Sequence, residues 1–212
     1  MKKRHYIILF LFLIVVTTIG AWIVKIGRGE LPYVDQWTRG AVDSFPDTFI
    51  YSFFRGVTNL GSEAFMYPFT FISAIVLWWL FRHWLPALVL AGGTFLSHLI
   101  NKFIKTLVNR DRPSILVEAN AEGYSFPSGH AMITLVCYGL LAYFITKRMK
   151  SQKAIVIVQA VFALLIFLIG ISRYFINVHY LTDIVAGFFI GFFCFIGLIY
   201  SYEFIQRRKS QS

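Results

Sequence analysis

The sequence predicts an all-α fold, a polytopic membrane protein built as a bundle of six transmembrane helices. Of its 212 residues, 58% are hydrophobic and only 14% are charged, whereas a typical soluble domain has about 25% charged residues. The apolar residues are concentrated in blocks of about 20, the length that crosses the hydrocarbon core of a bilayer. We expect a single membrane domain over residues 1–212.

Six apolar blocks predict the spans. They cover approximately residues 6–24, 64–81, 85–108, 128–146, 154–172 and 180–202. The first block follows the basic start MKKRH and lacks a convincing small-x-small cleavage site, so we interpret it as a retained signal anchor. Residues 25–63 mix charges with five Trp and Phe positions, Trp37, Phe45, Phe49, Phe53 and Phe54. Part of this segment is predicted to form an interfacial helix, whose rings either dock at headgroup level or pack against the bundle.

The charge distribution orients the predicted spans. The formal net charge is +10, and with a cytoplasmic N-terminus the inside segments are residues 1–5, 82–84, 147–153 and 203–212. These segments hold eleven of the 20 Lys and Arg residues and only one acid, Glu203. This asymmetry is typical of cytoplasmic loops and predicts that both termini are cytoplasmic. It also argues against nucleic-acid binding, because the basic residues form short flanks rather than a continuous patch.

The first candidate motif, KTLVNRDRP, lies at the end of the third span. Lys105 and Arg112 are seven residues apart, so they share a helix face if the helix runs that far. Pro113 disfavours helix at Arg112 and is expected to end the span there. Two cations at the outer membrane edge either bind an anion or simply snorkel to the interface.

The second motif, YSFPSGHAM, marks the start of the fourth span. Ser128 is a plausible N-cap, Gly129 permits close approach of the backbone, and His130 falls in the first helical turn. A helix N-terminus attracts anions, and a histidine adds a group that titrates near neutral pH. The alternative is an ordinary capped helix start with a hydrogen-bonded histidine.

The third motif, SRYFINVHYLTD, joins the last two spans. Arg173 follows the fifth span, while His179 and Asp183 open the sixth at i,i+4 spacing. On a helix this spacing stacks the two side chains, so the carboxylate can orient one imidazole nitrogen and leave the other as a base or nucleophile. A purely structural His–Asp pair is the alternative.

The three motifs fall on the same predicted outer face. Lys105, Arg112 and Arg173 would neutralise a phosphate-like dianion, and the backbone of Ser128 and Gly129 would complete its binding site. We find no His, Cys, Asp or Glu set at metal-ligand spacing, and therefore predict chemistry without a metal or other cofactor. Cys137 and Cys194 lie within spans and are interpreted as packing residues.

The three motifs together resemble the signature of the type 2 phosphatidic acid phosphatases, K-x6-RP, PSGH and SR-x5-H-x3-D. Every signature position matches, within a motif core of residues 105–183. The resemblance implies that His179 attacks phosphorus to form a phosphohistidine, that Asp183 orients it, and that His130 protonates the leaving oxygen. It also implies that the three cations hold the phosphoryl oxygens. Arg110 and Asp111 occupy variable positions of the signature and are left outside the site, while His98 and Asn101 are expected to be interhelical hydrogen-bond partners.

The substrate expectation is a lipid phosphate at the membrane surface. Undecaprenyl pyrophosphate, hydrolysed to undecaprenyl phosphate at the outer face of the plasma membrane, suits the predicted topology best. Phosphatidylglycerophosphate and phosphatidic acid are alternatives that the resemblance also covers. A lipid-linked phosphotransferase would use the same residues, whereas a transporter is disfavoured because the charged residues lie at span ends rather than at the bilayer midplane.

Overall fold

The structure, a computed structural model, describes residues 2–42, 48–113 and 123–209, and within these ranges it contains helices and no strand. The eight helices are α1 (Lys2–Gly27), α2 (Tyr33–Val42), α3 (Phe49–Thr58), α4 (Glu63–Phe81), α5 (Trp84–Val108), α6 (Gly129–Lys147), α7 (Gln152–Phe175) and α8 (Leu181–Lys209). A 3₁₀ turn, Asn59–Gly61, joins α3 to α4. The predicted all-α fold is confirmed.

Six of these helices, α1 and α4–α8, are long and apolar enough to cross a membrane. They coincide with the six blocks predicted from the sequence, although α1, α7 and α8 extend beyond the predicted ends. The extension is expected, because hydropathy detects only the apolar stretch, whereas a helix continues into the polar interface as long as its backbone hydrogen bonds persist.

Helix α6 forms the centre of the bundle. It packs against α5, α7 and α8, and its buried residues include Thr134, Val136, Leu140 and Phe144. Helix α1 lies at the edge, where most of its apolar side chains are exposed and only its second half packs near Phe126. The exposed apolar surface of α1 would be covered by lipid.

Two glycines allow α8 to approach α6 closely. A Cβ atom at Gly187 would lie 2.6 Å from the backbone oxygen of Ser128, and one at Gly191 would lie 2.8 Å from that of Met132. Small residues spaced four apart are a common way to bring membrane helices together. The contact also brings the amide of Ser128 to the backbone oxygen of Asp183, 3.0 Å away.

The segment between the first two spans contains two short helices, α2 and α3, where the sequence analysis predicted one. Packing against the bundle is seen for Phe54, which stacks on Phe175 of α7 with a ring-centroid distance of 4.3 Å. Trp37 and Phe49 are more than four-fifths exposed, and docking of these rings at headgroup level stays a prediction. Phe45 lies outside the described residues. Helices α2 and α3 therefore pack against the same end of the bundle that carries the three motifs.

The two cysteines are free thiols, as the sequence analysis expected. Cys137 is buried in α6 and Cys194 is half-buried in α8. The Cys137 sulfur lies 3.4 Å from the hydroxyl of Thr70 on α4, which is a packing contact between neighbouring helices.

Candidate active site

The three motifs surround one cavity of about 420 Å³ at the end of the bundle. Six of the eight predicted site residues line it: Lys105, Arg112, Gly129, His130, Arg173 and His179. The other two, Ser128 and Asp183, are fully buried behind its wall. The structure thus brings together residues from α5, α6, α7 and the segments that follow α5 and precede α8.

His179 and Asp183 form the expected pair, but not on one helix. Nδ1 of His179 lies 3.3 Å from Oδ2 of Asp183, while α8 begins only at Leu181. The same Oδ2 accepts a hydrogen bond from the backbone amide of Tyr180 at 2.9 Å. Asp183 therefore binds both the amide of the residue before its helix and the imidazole. In a continuous helix the Tyr180 amide would instead donate to the backbone oxygen four residues earlier.

Arg112 fixes the tautomer of His179. Its Nη1 lies 3.1 Å from Nε2 of His179 and donates to the backbone oxygen of Val178 at 2.9 Å. A guanidinium has only N–H donors, so Nε2 must be the unprotonated nitrogen and Nδ1 carries the proton that faces Asp183. The lone pair of Nε2 therefore accepts a hydrogen bond from Arg112 at the edge of the cavity, and it would become free if Arg112 donated to a bound anion instead.

Electrostatics keep this imidazole neutral. Burial holds the pKa of His179 well below its usual value, and the positive charges of Arg112, Arg173 and Lys105 lower it further. Burial also lowers the pKa of Arg112, opposed by the nearby negative charge of Asp183. At neutral pH the site therefore contains an uncharged histidine among cations, the form of imidazole that acts as a nucleophile.

Arg112 reaches this position from an irregular segment rather than from the helix. Helix α5 ends at Val108. Asn109 adopts the left-handed conformation with φ 54°, and its amide donates to the backbone oxygen of Lys105. The spacing alone suggested that Arg112 shares a helix face with Lys105. In the structure it does not, because the helix ends before Arg112. The chain turns away from the helix axis and returns the guanidinium toward the cavity, where its Nε donates to Gly123 at 2.9 Å.

The other two cations approach from helix ends. Lys105 is in the last turn of α5 and Arg173 in the last turn of α7. Nη1 of Arg173 donates to the hydroxyl of Thr58 at 2.9 Å, which joins α7 to α3. Its Nε is buried and has no hydrogen-bond partner among the described residues, so this nitrogen retains a donor for a bound group.

The N-terminus of α6 forms the opposite wall of the cavity. Ser128 caps the helix, accepting a hydrogen bond from the amide of Ala131, as predicted. Nε2 of His130 is buried and, among the described residues, has no hydrogen-bond partner. A Cβ atom at Gly129 would lie 3.1 Å from Oδ1 of Asn101, so the glycine lets α5 approach the start of α6.

A buried ion network that was not predicted from the sequence lies behind Asp183. Arg110, placed outside the site from its motif position, donates to Oδ1 of Asp183 at 2.5 Å and to Oδ2 of Asp35 at 2.7 Å. Asp35 belongs to α2, and it lies 147 residues before Thr182 in the chain. Arg110 does not line the cavity, as its motif position predicted, but its contact with Asp183 was not predicted.

Several further residues of the cavity carry no sequence motif. Arg55 and Thr58 of α3 line it, as does Glu63 at the start of α4. His98 lines it too, with its Nδ1 4.0 Å from a carboxylate oxygen of Glu63. Asn101 donates to the backbone oxygen of Pro127 at 3.2 Å and lies 3.7 Å from the sulfur of Met132 on α6, as expected of an interhelical partner. The 4.0 Å contact of His98 is too long for the hydrogen bond that was expected of it.

The described residues contain no group of three or more His, Cys, Asp or Glu side chains that could hold a metal ion. The cavity instead presents four cationic side chains, three histidines and a single carboxylate, that of Glu63. Such a set of donors is suited to binding phosphate oxygens and stabilising charge that develops on them.

Comparisons with known proteins agree with this geometry. A family model described as the PAP2 superfamily matches residues 86–207. Phosphatidylglycerophosphatase B of Bacillus subtilis (strain 168) is 34% identical over 145 residues, which cover 66% of this chain and 69% of the relative. Dolichyldiphosphatase of Saccharomyces cerevisiae is 25% identical over 170 residues, covering 73% of this chain and 71% of the relative.

A solved structure shares the fold. The crystal structure of the first transmembrane PAP2 type phosphatidylglycerolphosphate phosphatase from Bacillus subtilis superposes with a TM-score of 0.76 at 24% sequence identity. The superposition covers 89% of this chain and 96% of that chain. The resemblance therefore extends over nearly the whole bundle, including the spans outside the matched family region.

Proposed function

Because the chain belongs to the PAP2 superfamily of phosphatases, we propose that it is an integral-membrane lipid phosphatase that works through a phosphohistidine on His179. The observation that carries the proposal is the environment of this ring. Nδ1 faces the Asp183 carboxylate, and Nε2 faces the cavity beside Arg112. The ring is thus oriented, neutral and nucleophilic.

In the first step, Nε2 of His179 attacks phosphorus. A P–N bond forms, the bond from phosphorus to the lipid-side oxygen breaks, and His130 donates a proton to the departing oxygen. Lys105, Arg112 and Arg173 stabilise the charge on the phosphoryl oxygens. Positioning and charge stabilisation account for most of the catalysis of such transfers, and cations take the part that a metal plays elsewhere. We therefore propose a metal-independent reaction.

In the second step, water attacks the phosphohistidine. His130 accepts a proton from the water, the P–N bond breaks, and inorganic phosphate leaves with His179 restored to its neutral form. The unpartnered Nε2 of His130 supports this assignment, because a buried polar atom without a protein partner is available to a reacting group.

The site is proposed to face the exterior. Helix order puts the start of α1 and the end of α8 at the end of the bundle opposite the cavity, and the excess of basic residues lies at that opposite end. Basic residues mark the cytoplasmic side of a membrane protein. We therefore propose a plasma-membrane protein with cytoplasmic termini and an active site at the outer surface.

Undecaprenyl pyrophosphate is the proposed substrate. A fourth cation, Arg55, lines the cavity in addition to the three of the motifs, which suits a diphosphate better than a single phosphate. A second, mostly apolar cavity of about 200 Å³ lies between α4 and α5 and shares Gly61, Glu63, His98 and Ile133 with the first. An isoprenoid chain would leave the site through this gap. Phosphatidylglycerophosphate and phosphatidic acid remain the alternatives, the former being the substrate named for a relative.

Phosphate release by the purified protein tests the proposal. We would compare the three lipids in the presence of EDTA, using wild type and His179→Ala. Lys150→Ala serves as the control, because it changes an exposed residue at the end of the bundle opposite the cavity. We expect release by wild type and Lys150→Ala only, fastest from undecaprenyl pyrophosphate. Full activity of His179→Ala would refute the nucleophile. Transfer of the phosphoryl group to an added acceptor alcohol, without release of inorganic phosphate, would instead indicate a phosphotransferase.

A further inference from the structure

Behind His179, the candidate nucleophile, four side chains form a closed and buried polar network. None of the three motifs contains all four of them. Asp35 comes from α2, Arg110 from the segment after α5, and Thr182 and Asp183 from the start of α8. All four are at most 5% exposed. Burying two carboxylates and a guanidinium is costly unless each finds partners, so their contacts require an explanation.

Each oxygen of the network has an assigned partner. Arg110 donates through Nη1 to Oδ1 of Asp183 at 2.5 Å and to the hydroxyl of Thr182 at 2.9 Å. Through Nη2 it donates to Oδ2 of Asp35 at 2.7 Å. Asp35 in turn accepts from the hydroxyl and the amide of Thr182, at 2.6 and 3.0 Å. The ring of Tyr180 covers the guanidinium, 3.9 Å from its carbon atom.

This arrangement determines what Asp183 can do. Arg110 occupies Oδ1, which leaves Oδ2 for the amide of Tyr180 and for Nδ1 of His179. The carboxylate cannot rotate without breaking a charge-assisted hydrogen bond. The network also contains two carboxylates and one guanidinium, so it places one net negative charge behind a ring that becomes positive when it is phosphorylated.

We propose that Asp35 and Arg110 are positioning residues of the reaction, which hold Asp183 in place and set the charge behind His179. Neither side chain lines the cavity, so they act only through Asp183. The inference rests on the proposed phosphohistidine chemistry. It gives α2 a role in catalysis although the helix lies outside all three motifs and outside the region matched by the family model.

The proposal predicts a separation of kinetic constants. Asp35→Asn keeps hydrogen-bonding capacity but removes the negative charge, and Thr182→Val keeps the shape of the side chain but removes its hydroxyl. We expect each to lower kcat by roughly 10- to 100-fold, as misplacement of a catalytic group does, and to leave KM within about twofold, since no substrate contact is lost. Thr182→Ser restores the hydroxyl and is expected to restore kcat.

The pH dependence provides a signature that a merely structural role would not show. The titratable and charged groups that face His179 are Asp183 of α8, His130 of α6, Arg173 of α7, Lys105 of α5 and Arg112. Asp35→Asn removes a negative charge behind this set and should move the acid limb of kcat/KM to lower pH. Arg110→Gln removes a positive charge and should move it to higher pH.

Loss of stability is controlled separately. Leu77→Ala removes a fully buried side chain of α4 and is expected to lower the melting temperature without lowering kcat below that temperature. All variants would be assayed on the lipid that wild type hydrolyses fastest, with folding checked by thermal melting in detergent.

Two results would overturn the proposal while leaving the proposed function intact. One is wild-type kcat in folded Asp35→Asn and Thr182→Val protein when His179→Ala is inactive. The other is a shift of the acid limb of kcat/KM in the same direction in Asp35→Asn and in Arg110→Gln. If wild type itself releases no phosphate from any of the lipids, the proposed function fails instead.

Discussion

At the scale of single residues, the site depends on which nitrogen of His179 carries the proton. Arg112 on one side and Asp183 on the other leave only one arrangement of donors and acceptors. Burial and the neighbouring cations keep the pKa of the ring low, so the proposed nucleophile is already unprotonated at neutral pH. The acid limb of the pH–rate profile due to this residue is expected below its ordinary value, about 6.5.

The charge of Arg112 can be separated from its hydrogen bonds by two substitutions. Arg112→Gln removes a positive charge beside His179, which raises the pKa of the ring, so the acid limb of kcat/KM should move to higher pH. Arg112→Lys loses the planar donor geometry but keeps the charge, so it should lose activity without this shift. Profiles of kcat/KM would be measured between pH 4.5 and 8. If the acid limb falls at the same pH in both variants, the charge of Arg112 does not set the titration of His179.

At the scale of helices, the close contact between α6 and α8 holds the second and third motifs together. Cβ atoms at Gly187 and Gly191 would meet backbone atoms of α6, which cannot move without shifting the helix. We expect Gly187→Ala and Gly191→Ala to destabilise the protein by about 1–3 kcal/mol and to lower activity, because Ser128 and Asp183 would separate.

Gly197 is the matched control for these two substitutions. It lies on the same helix α8, and nothing lies within 4 Å of a Cβ atom there. Gly197→Ala should keep activity and raise the stability by up to about 1 kcal/mol, since alanine favours a helix. Thermal melting and phosphate release measure both quantities. Equal behaviour at all three positions would mean that the helices do not depend on this close approach.

The helices could be predicted from the sequence because span length and hydropathy are local properties. The Ser128 cap was also predictable, since a cap is read from a few neighbouring residues. What could not be predicted depends on the path of irregular chain. Asn109 turns left-handed and ends α5, so Arg112 leaves the helix face of Lys105 but still lines the cavity, as predicted. Arg110 enters a buried ion network that was not predicted. The contact of Asp35 with Thr182 joins residues far apart in the sequence, and no local pattern indicates it.

At the scale of the whole molecule, the chain has two chemically distinct ends. One end carries the cavity and its cations, and the other carries the start of α1, the end of α8 and most of the excess basic charge. A Lys147–Glu203 ion pair joins α6 to α8 at the second end. The proposed orientation follows from this polarity alone and is independent of the chemistry of the site.

Single cysteines test the orientation in a background free of Cys137 and Cys194. Glu30 is exposed in the turn after α1, at the cavity end, and Lys150 is exposed between α6 and α7 at the opposite end. An impermeant thiol reagent applied to intact cells should label Glu30→Cys, whereas Lys150→Cys should react only after permeabilisation. The reverse pattern would place the active site on the cytoplasmic side.

The central claim is that phosphate passes through His179, and trapping the intermediate tests it most directly. Purified protein would be mixed with substrate labelled with ³²P at the terminal phosphate, quenched rapidly in alkaline detergent and mapped by peptide analysis. We predict an acid-labile, alkali-stable label on His179 that is absent from His179→Asn. Label on another residue, or hydrolysis by His179→Asn at the wild-type rate, would contradict the account.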